Sequence, residues 1–142
     1  MHVCNDVGVF NAGFAKTLAA RWPWAKQGYL DWYRGGKTRW AKEPLELGAV
    51  QFLAVDTDLW VANLIAQHGV GHSGPPIRYD ALEKCLNRVA RATLARKVLT
   101  VAPRLGCNLA GASWAKVEPL IQQAFGDQQV FVYDFPGGTF NP

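Results

Sequence analysis

Blocks of apolar residues recur along the chain with two spacings, near two residues and near 3.6, which are the periods of strand and helix. Val3 to Asn5 reads as the end of a strand, followed by a loop from Asp6 to Asn11. Phe14, Leu18 and Ala19 share one face of a helix predicted over 12–21, and Trp22-Pro23 ends it. A second helix is expected over 25–33, then a loop at Gly35-Gly36 and the charged segment beyond. Residues 49–55 and 59–65 are strands by apolar and β-branched content. Asp56-Thr57-Asp58 between them makes the pair a hairpin. Residues 67–76 are too rich in glycine and proline for a regular element. A helix over 79–96 carries an apolar stripe of Leu82, Cys85, Leu86, Val89 and Leu94. A strand over 98–102, a helix over 114–125 and a strand over 130–134 complete the order, and residues 135–142 read as a tail. This alternation predicts an α/β fold, a three-layer α/β/α sandwich around a central mixed sheet. Residues 1–134 form one domain.

The segment 98–114 holds the strongest local signal. A buried strand runs into a loop with Gly106 and Gly111, and Ser113 stands where it would cap the next helix. Such a junction turns several backbone N–H groups toward one point beside the positive end of a helix dipole, which suits a phosphate. The plainer reading is that glycine serves only to make the turn.

Composition narrows the field. No apolar run reaches membrane-spanning length. The first residues show no basic segment followed by an apolar one, and Cys4, Cys85 and Cys107 are odd in number and widely spaced. A reduced, cytoplasmic protein is expected, with no disulfide framework, no metal site and no cofactor. The net charge of +4 makes an anion or nucleic acid a candidate partner. The densest basic region, 34–42, lies among Trp32, Tyr33 and Trp40, which either stack bases or pack a helix end onto the core.

Three segments together resemble macro domains. His2-Val3-Cys4-Asn5-Asp6-Val7-Gly8 with Asn11-Ala12-Gly13-Phe14 resembles their first ligand loop. Pro103 to Gly111 resembles their phosphate loop. Ile65 to Gly69, running into Arg78 to Leu82, resembles the stretch between. The similarity is greatest to the branch that holds the terminal ADP-ribose protein glycohydrolase and ALC-like domains. It implies an ADP-ribose cleft at the ends of the central strands. There Asn11, Ala12, Gly13 and Phe14 line the first loop. Pro103, Arg104, Leu105, Gly106, Cys107, Asn108, Leu109 and Ala110 form the second, which wraps the phosphates. Tyr133 is an aromatic candidate on the last strand, and Trp114 is expected to pack under the loop. Family members carry one or two strands before the equivalent of His2, with an aspartate for adenine, so an N-terminally shortened sheet is expected. A second copy of the chain is a candidate to cover its edge.

The resemblance also sets out departures. The glycohydrolase's catalytic aspartate falls on Ala110 and its lysine near Gln67 or His68, which excludes the lysine-dependent route. Asn11 and Asn108 stand where glycine is common; asparagine at 108 is still able to adopt a left-handed backbone. Asn5, Asp6 and His68 are then the candidate catalytic residues. Asn5 would bond the distal ribose, Asp6 would place a water, and His68 would donate a proton to a leaving group. The plainer reading is that Asn5 and Asp6 cap the loop and that His68 and His72 are solvated. Arg104 would pair either with a phosphate or with a residue such as Glu118. Cys107 reads as buried filler. The expected activity is water-mediated hydrolysis of an ADP-ribosyl derivative. The alternatives are a non-catalytic ADP-ribose reader, and a basic interaction module whose pocket is lost.

Overall fold

The computed structural model describes residues 1–35, 38–39, 41–71, 75–139 and 142. The order is β1 (His2–Asn5), α1 (Gly13–Arg21), α2 (Pro23–Gly35), β2 (Val50–Asp56), β3 (Leu59–Gln67), α3 (Tyr79–Arg96), β4 (Thr100–Pro103), α4 (Trp114–Phe125) and β5 (Val130–Tyr133). β3 lies between β1, which it pairs in parallel, and β2, which it pairs antiparallel. β4 and β5 form a second, parallel pair. The Met1 amino group donates to the Val101 carbonyl at 2.7 Å, which brings the start of β1 beside β4. The strands are mixed in direction, as expected.

Alternation along β3 divides the core. Ala62, Leu64 and Ala66 pack with Leu82, Leu86 and Val89 of α3 and with Val117 and Ile121 of α4. Val61 and Ile65 point the other way, onto Tyr29 and Trp32 of α2 and Leu18 of α1. Helices therefore cover both faces, α1 and α2 on one and α3 and α4 on the other. Pro23 ends α1 and opens α2, where a missing N–H costs nothing. Trp32 is fully buried and its indole N–H donates to the Glu43 carbonyl at 2.8 Å, so this tryptophan packs the helix onto the core. Trp40, Lys37 and His72 lie outside the described residues.

Several local expectations change. Leu94 leaves the α3 stripe and is 64% exposed; Thr93 takes the core-facing position and bonds back to the Val89 carbonyl. The strand expected over 98–102 begins at Thr100. Leu99 and Val101 are exposed, because the outer side of the β4–β5 pair is uncovered among the described residues. Ser113 occupies the N-cap position of α4 by its backbone, but makes no capping bond. Its hydroxyl donates to the Pro142 carbonyl at 2.6 Å instead.

Leu86 is fully buried between α3 and the sheet. Leu86→Ala is expected to cost about 2–5 kcal/mol, read from denaturant midpoints. A loss below about 1 kcal/mol would show that this core is not packed as described.

Candidate functional site

β1 and β4 both reach one cavity of about 630 Å³, and the loops that follow them line it. Residues 9–15 form one wall and residues 103–110, Leu105 excepted, another. Leu105 is fully buried beneath its loop. The two loops touch: a Cβ built on Gly13, at φ +52°, would lie 3.1 Å from a Leu109 methyl. Gly106, at φ +69°, is a second position where a side chain would be strained, with Ile77 3.0 Å from its Cβ position. Both sequence-identified loops therefore reach the same place.

The loops are held by bonds that leave part of their backbone unused. In the second loop Cys107 N–H donates to Arg104, Gly111 to Asn108, and Ala112 to Gly106, while the Ala110 carbonyl accepts from Ile77. Among the described residues, the N–H groups of Gly106, Asn108, Leu109 and Ala110 meet no protein acceptor. The same holds for Gly13, Phe14 and Ala15 in the first turn of α1, whose N-cap Ala12 offers no side-chain oxygen. Uncapped donors at a helix start, beside a second set on a facing loop, form an electropositive wall. Asn108 is not left-handed; Lys97 is the single non-glycine residue with positive φ among those described.

Asn5 lines the cavity, but its amide group is spent on its own loop. Oδ1 accepts from Val7 and Val9 N–H, both at 3.1 Å, and Nδ2 donates to the Val9 carbonyl at 2.6 Å. The Tyr29 hydroxyl lies 2.8 Å from the Asn5 carbonyl and 3.0 Å from Oδ1, and accepts from Gly8 N–H. Asn5 is thus the loop's brace, the capping role weighed for it.

Asp6 and His68 are brought together. Asp6 Oδ2 lies 2.7 Å from His68 Nδ1, and Oδ1 accepts the Gly69 N–H at 2.8 Å. Partial burial pushes the Asp6 carboxyl up, yet the Gly69 N–H and the His68 ring outweigh it and hold its pKa below the ordinary value. The pair does not itself line the cavity; its neighbours Asn5 and Gln67 do. It ties the 67–71 segment, which supplies Val70 and Gly71 to the wall, to the end of β1.

Arg104 pairs with Asp134, and Glu118 is a further charge acting on it. Its guanidinium meets both carboxylate oxygens of Asp134 and lies over the Trp114 ring, 4.6 Å from its centre. Trp114 packs against the core, as expected, and is not among the cavity residues. The Cys107 thiol is buried, which raises its pKa to about 11 and leaves it protonated and unreactive. Phe14 and Tyr133 are 43% and 62% exposed and line the cavity. So do Phe135, Gly138 and Thr139, which the sequence placed in a tail. His2, on β1, is a lining residue that sequence reasoning missed. Its signal was the alternation that makes position 2 a buried partner of Cys4. Among the described residues no cluster of metal-ligating side chains occurs, and no helix is long and apolar enough to cross a membrane.

Asp6→Asn is expected to lower stability at pH 7 by about 1–2 kcal/mol, the lower part of the range for charged hydrogen bonds because His68 is 60% exposed. A carboxyl whose folded pKa is depressed stabilises the fold above its unfolded value, near 4. That contribution disappears as pH falls through the folded value. The gap between wild type and variant should therefore shrink on acidification below about pH 4. Equal gaps at pH 7 and pH 3 in urea titrations would contradict this.

No family model and no curated protein matches the sequence. Solved structures do. A protein of unknown function from Bacteroides thetaiotaomicron is 40% identical, with a TM-score of 0.85 over 94% of this chain and 85% of that one. A macrodomain protein from Streptomyces coelicolor is 38% identical, with a TM-score of 0.77 over 94% and 85% of the two chains. Thermosipho africanus DarTG, solved in complex with ADP-ribose, is 19% identical and has a TM-score of 0.74 over 97% of this chain and 38% of its own, a likeness of fold alone. With the Streptomyces relative aligned over nearly the whole chain, and with both ligand loops in place, this chain belongs to the macrodomain family.

Proposed function

We propose that the cavity binds ADP-ribose, with its diphosphate held by backbone N–H groups rather than by a side-chain cation. The observation that carries this reading is the convergence of unused donors from residues 106 and 108–110 and from the first turn of α1 on one cavity. A diphosphate offers several acceptor oxygens and two negative charges, which such a wall satisfies without reorganising. The volume suits a ligand of dinucleotide size. The fold shared with DarTG, whose structure contains ADP-ribose, supports the same ligand class. Exposed Phe14, Tyr133 and Phe135 provide apolar surface for base and ribose.

A ligand that binds only the folded state raises the melting point. ADP-ribose at millimolar concentration should raise Tm by several degrees, with smaller shifts for AMP, NAD and ADP-ribose 1″-phosphate. No shift with ADP-ribose, together with no heat in calorimetry, would reject the reading.

A second reading adds turnover, hydrolysis of an ADP-ribosyl derivative by water, and one observation favours it. Asp6 fixes His68 through Nδ1, leaving Nε2 to exchange a proton with a water that reaches the cavity past Asn5 and Gln67, the orienting logic of a carboxylate–histidine pair. Ala110 supplies no carboxylate, and no lysine lines the cavity among the described residues, so this route is distinct from a lysine-dependent one. Asp6→Ala should cut release of ADP-ribose from a modified peptide or nucleic acid at least tenfold while binding stays measurable. Undiminished release by the variant would remove Asp6 from the chemistry. No release by wild type would leave the protein a reader.

A further inference from the structure

A line of side-chain hydrogen bonds crosses the sheet beside the cavity, and the reading above makes no use of it. Its direction is fixed at one end by the Gly28 carbonyl in α2, which can only accept. Gln51 Nε2 donates to that oxygen at 2.9 Å. Gln51 Oε1 is thereby turned toward β3 and accepts from Asn63 Nδ2 at 2.8 Å. Asn63 Oδ1 is then left facing His2, 2.6 Å from Nε2. An oxygen at that distance requires the proton on Nε2. Reversing Gln51 would set oxygen against oxygen at Gly28, and reversing Asn63 alone would set its Oδ1 against Gln51 Oε1.

All three side chains are buried: His2 is 2% exposed, and Gln51 and Asn63 are fully enclosed. Burial also holds the His2 pKa down to about 3, so the ring is neutral at any physiological pH. A neutral imidazole with its proton on Nε2 has a bare lone pair on Nδ1. Among the described residues, the one donor near Nδ1 is the Cys4 thiol, 3.8 Å away and weak. The ring is set between Phe10, edge-on at 5.6 Å, and Phe14, at 5.3 Å. His2 lies on the cavity wall, three residues before Asn5. At roughly 3.3 Å per residue that is about 10 Å from the strand end where the diphosphate would sit.

Polar groups in an apolar layer cost free energy unless satisfied, and an apolar trio of similar shape would cost less. Gln51 and Asn63 satisfy each other and spend their remaining bonds on Gly28 and on His2. The product of the line is a histidine held in one tautomer, whose Nδ1 is met, among the described residues, only by the weak Cys4 thiol.

We propose that His2 Nδ1 accepts a hydrogen bond from an O–H or N–H group of the bound ligand, at the part of the cavity away from the diphosphate. Asn63 and Gln51 act as positioning residues that set its tautomer. The proposal rests on the ADP-ribose reading, and a donor on either side of the diphosphate meets the requirement.

The test is a long-range proton–nitrogen NMR spectrum of uniformly labelled protein, with His2 assigned by the loss of its signals in His2→Phe. The free protein should show Nε2 protonated and Nδ1 bare. Saturation with ADP-ribose, verified by calorimetry on the same sample, should move the Nδ1 resonance upfield, as for a nitrogen that accepts a hydrogen bond. AMP and ribose 5-phosphate, titrated separately, identify the contributing half by which of them reproduces the movement. Asn63→Leu should weaken ADP-ribose binding roughly tenfold, the worth of one well-placed hydrogen bond. If ADP-ribose binds wild type and Nδ1 does not move, His2 is not a ligand contact and the cavity reading survives. Wild-type affinity in a folded Asn63→Leu protein removes the positioning role. If ADP-ribose gives no binding heat at all, the cavity reading fails and the proposal with it.

Discussion

The arrangement of the site depends on one amide side chain. Asn5 gathers two backbone N–H groups and one carbonyl of residues 7–9, and with Tyr29 it clamps the chain where it leaves β1. The register between β1 and β3 slips at the same point, so Asn5 aligns with Gln67. The tight loop that results delivers Gly13 and the start of α1 to the cavity. Without the clamp, the first turn's donors have no fixed direction. A group on a strand end thus acts on ligand chemistry through backbone placement and needs no contact of its own.

Much of this was legible in the sequence. Apolar spacing located every strand and helix, and the glycine positions marked both loops, because a left-handed backbone leaves few alternatives. The misreadings have physical causes. Leu94 looks like part of a stripe, but the buried face of α3 runs from Val89 and Ala90 to Thr93, whose hydroxyl bonds back into the helix. Ser113 has the residue type and backbone of a cap, yet its hydroxyl is claimed by a residue far along the chain. For Arg104 the sequence suggested a phosphate or a residue such as Glu118; Asp134, with which it pairs, becomes a neighbour only when β4 and β5 pair in parallel. Long-range contacts of this kind leave no local trace.

The site residues divide the same way. The glycine-punctuated turn at 106–111 and the resemblance to macro domains pointed to the two loops that line the cavity. They did not reveal that Asp6 and His68 meet, because 62 residues separate them and only the β1–β3 register joins them. They also passed over His2, Gln51 and Asn63. In a one-dimensional reading each is a polar residue within a strand; as a connected line, each satisfies the next.

The cavity's charge distribution follows from these constraints. Its arginine is paired with Asp134, which Arg104 holds below the usual carboxyl range, and its histidine is neutral by burial. Attraction for an anion is therefore left to peptide dipoles fixed by the two loops. Dipoles held in place by the fold need little rearrangement when a ligand arrives and carry no counterion to displace. A mobile lysine or arginine would give more charge but less direction. A site made of backbone donors would select by geometry more than by net charge. Asn5 contributes to that geometry on one side, by bracing the loop that leads from β1 into α1.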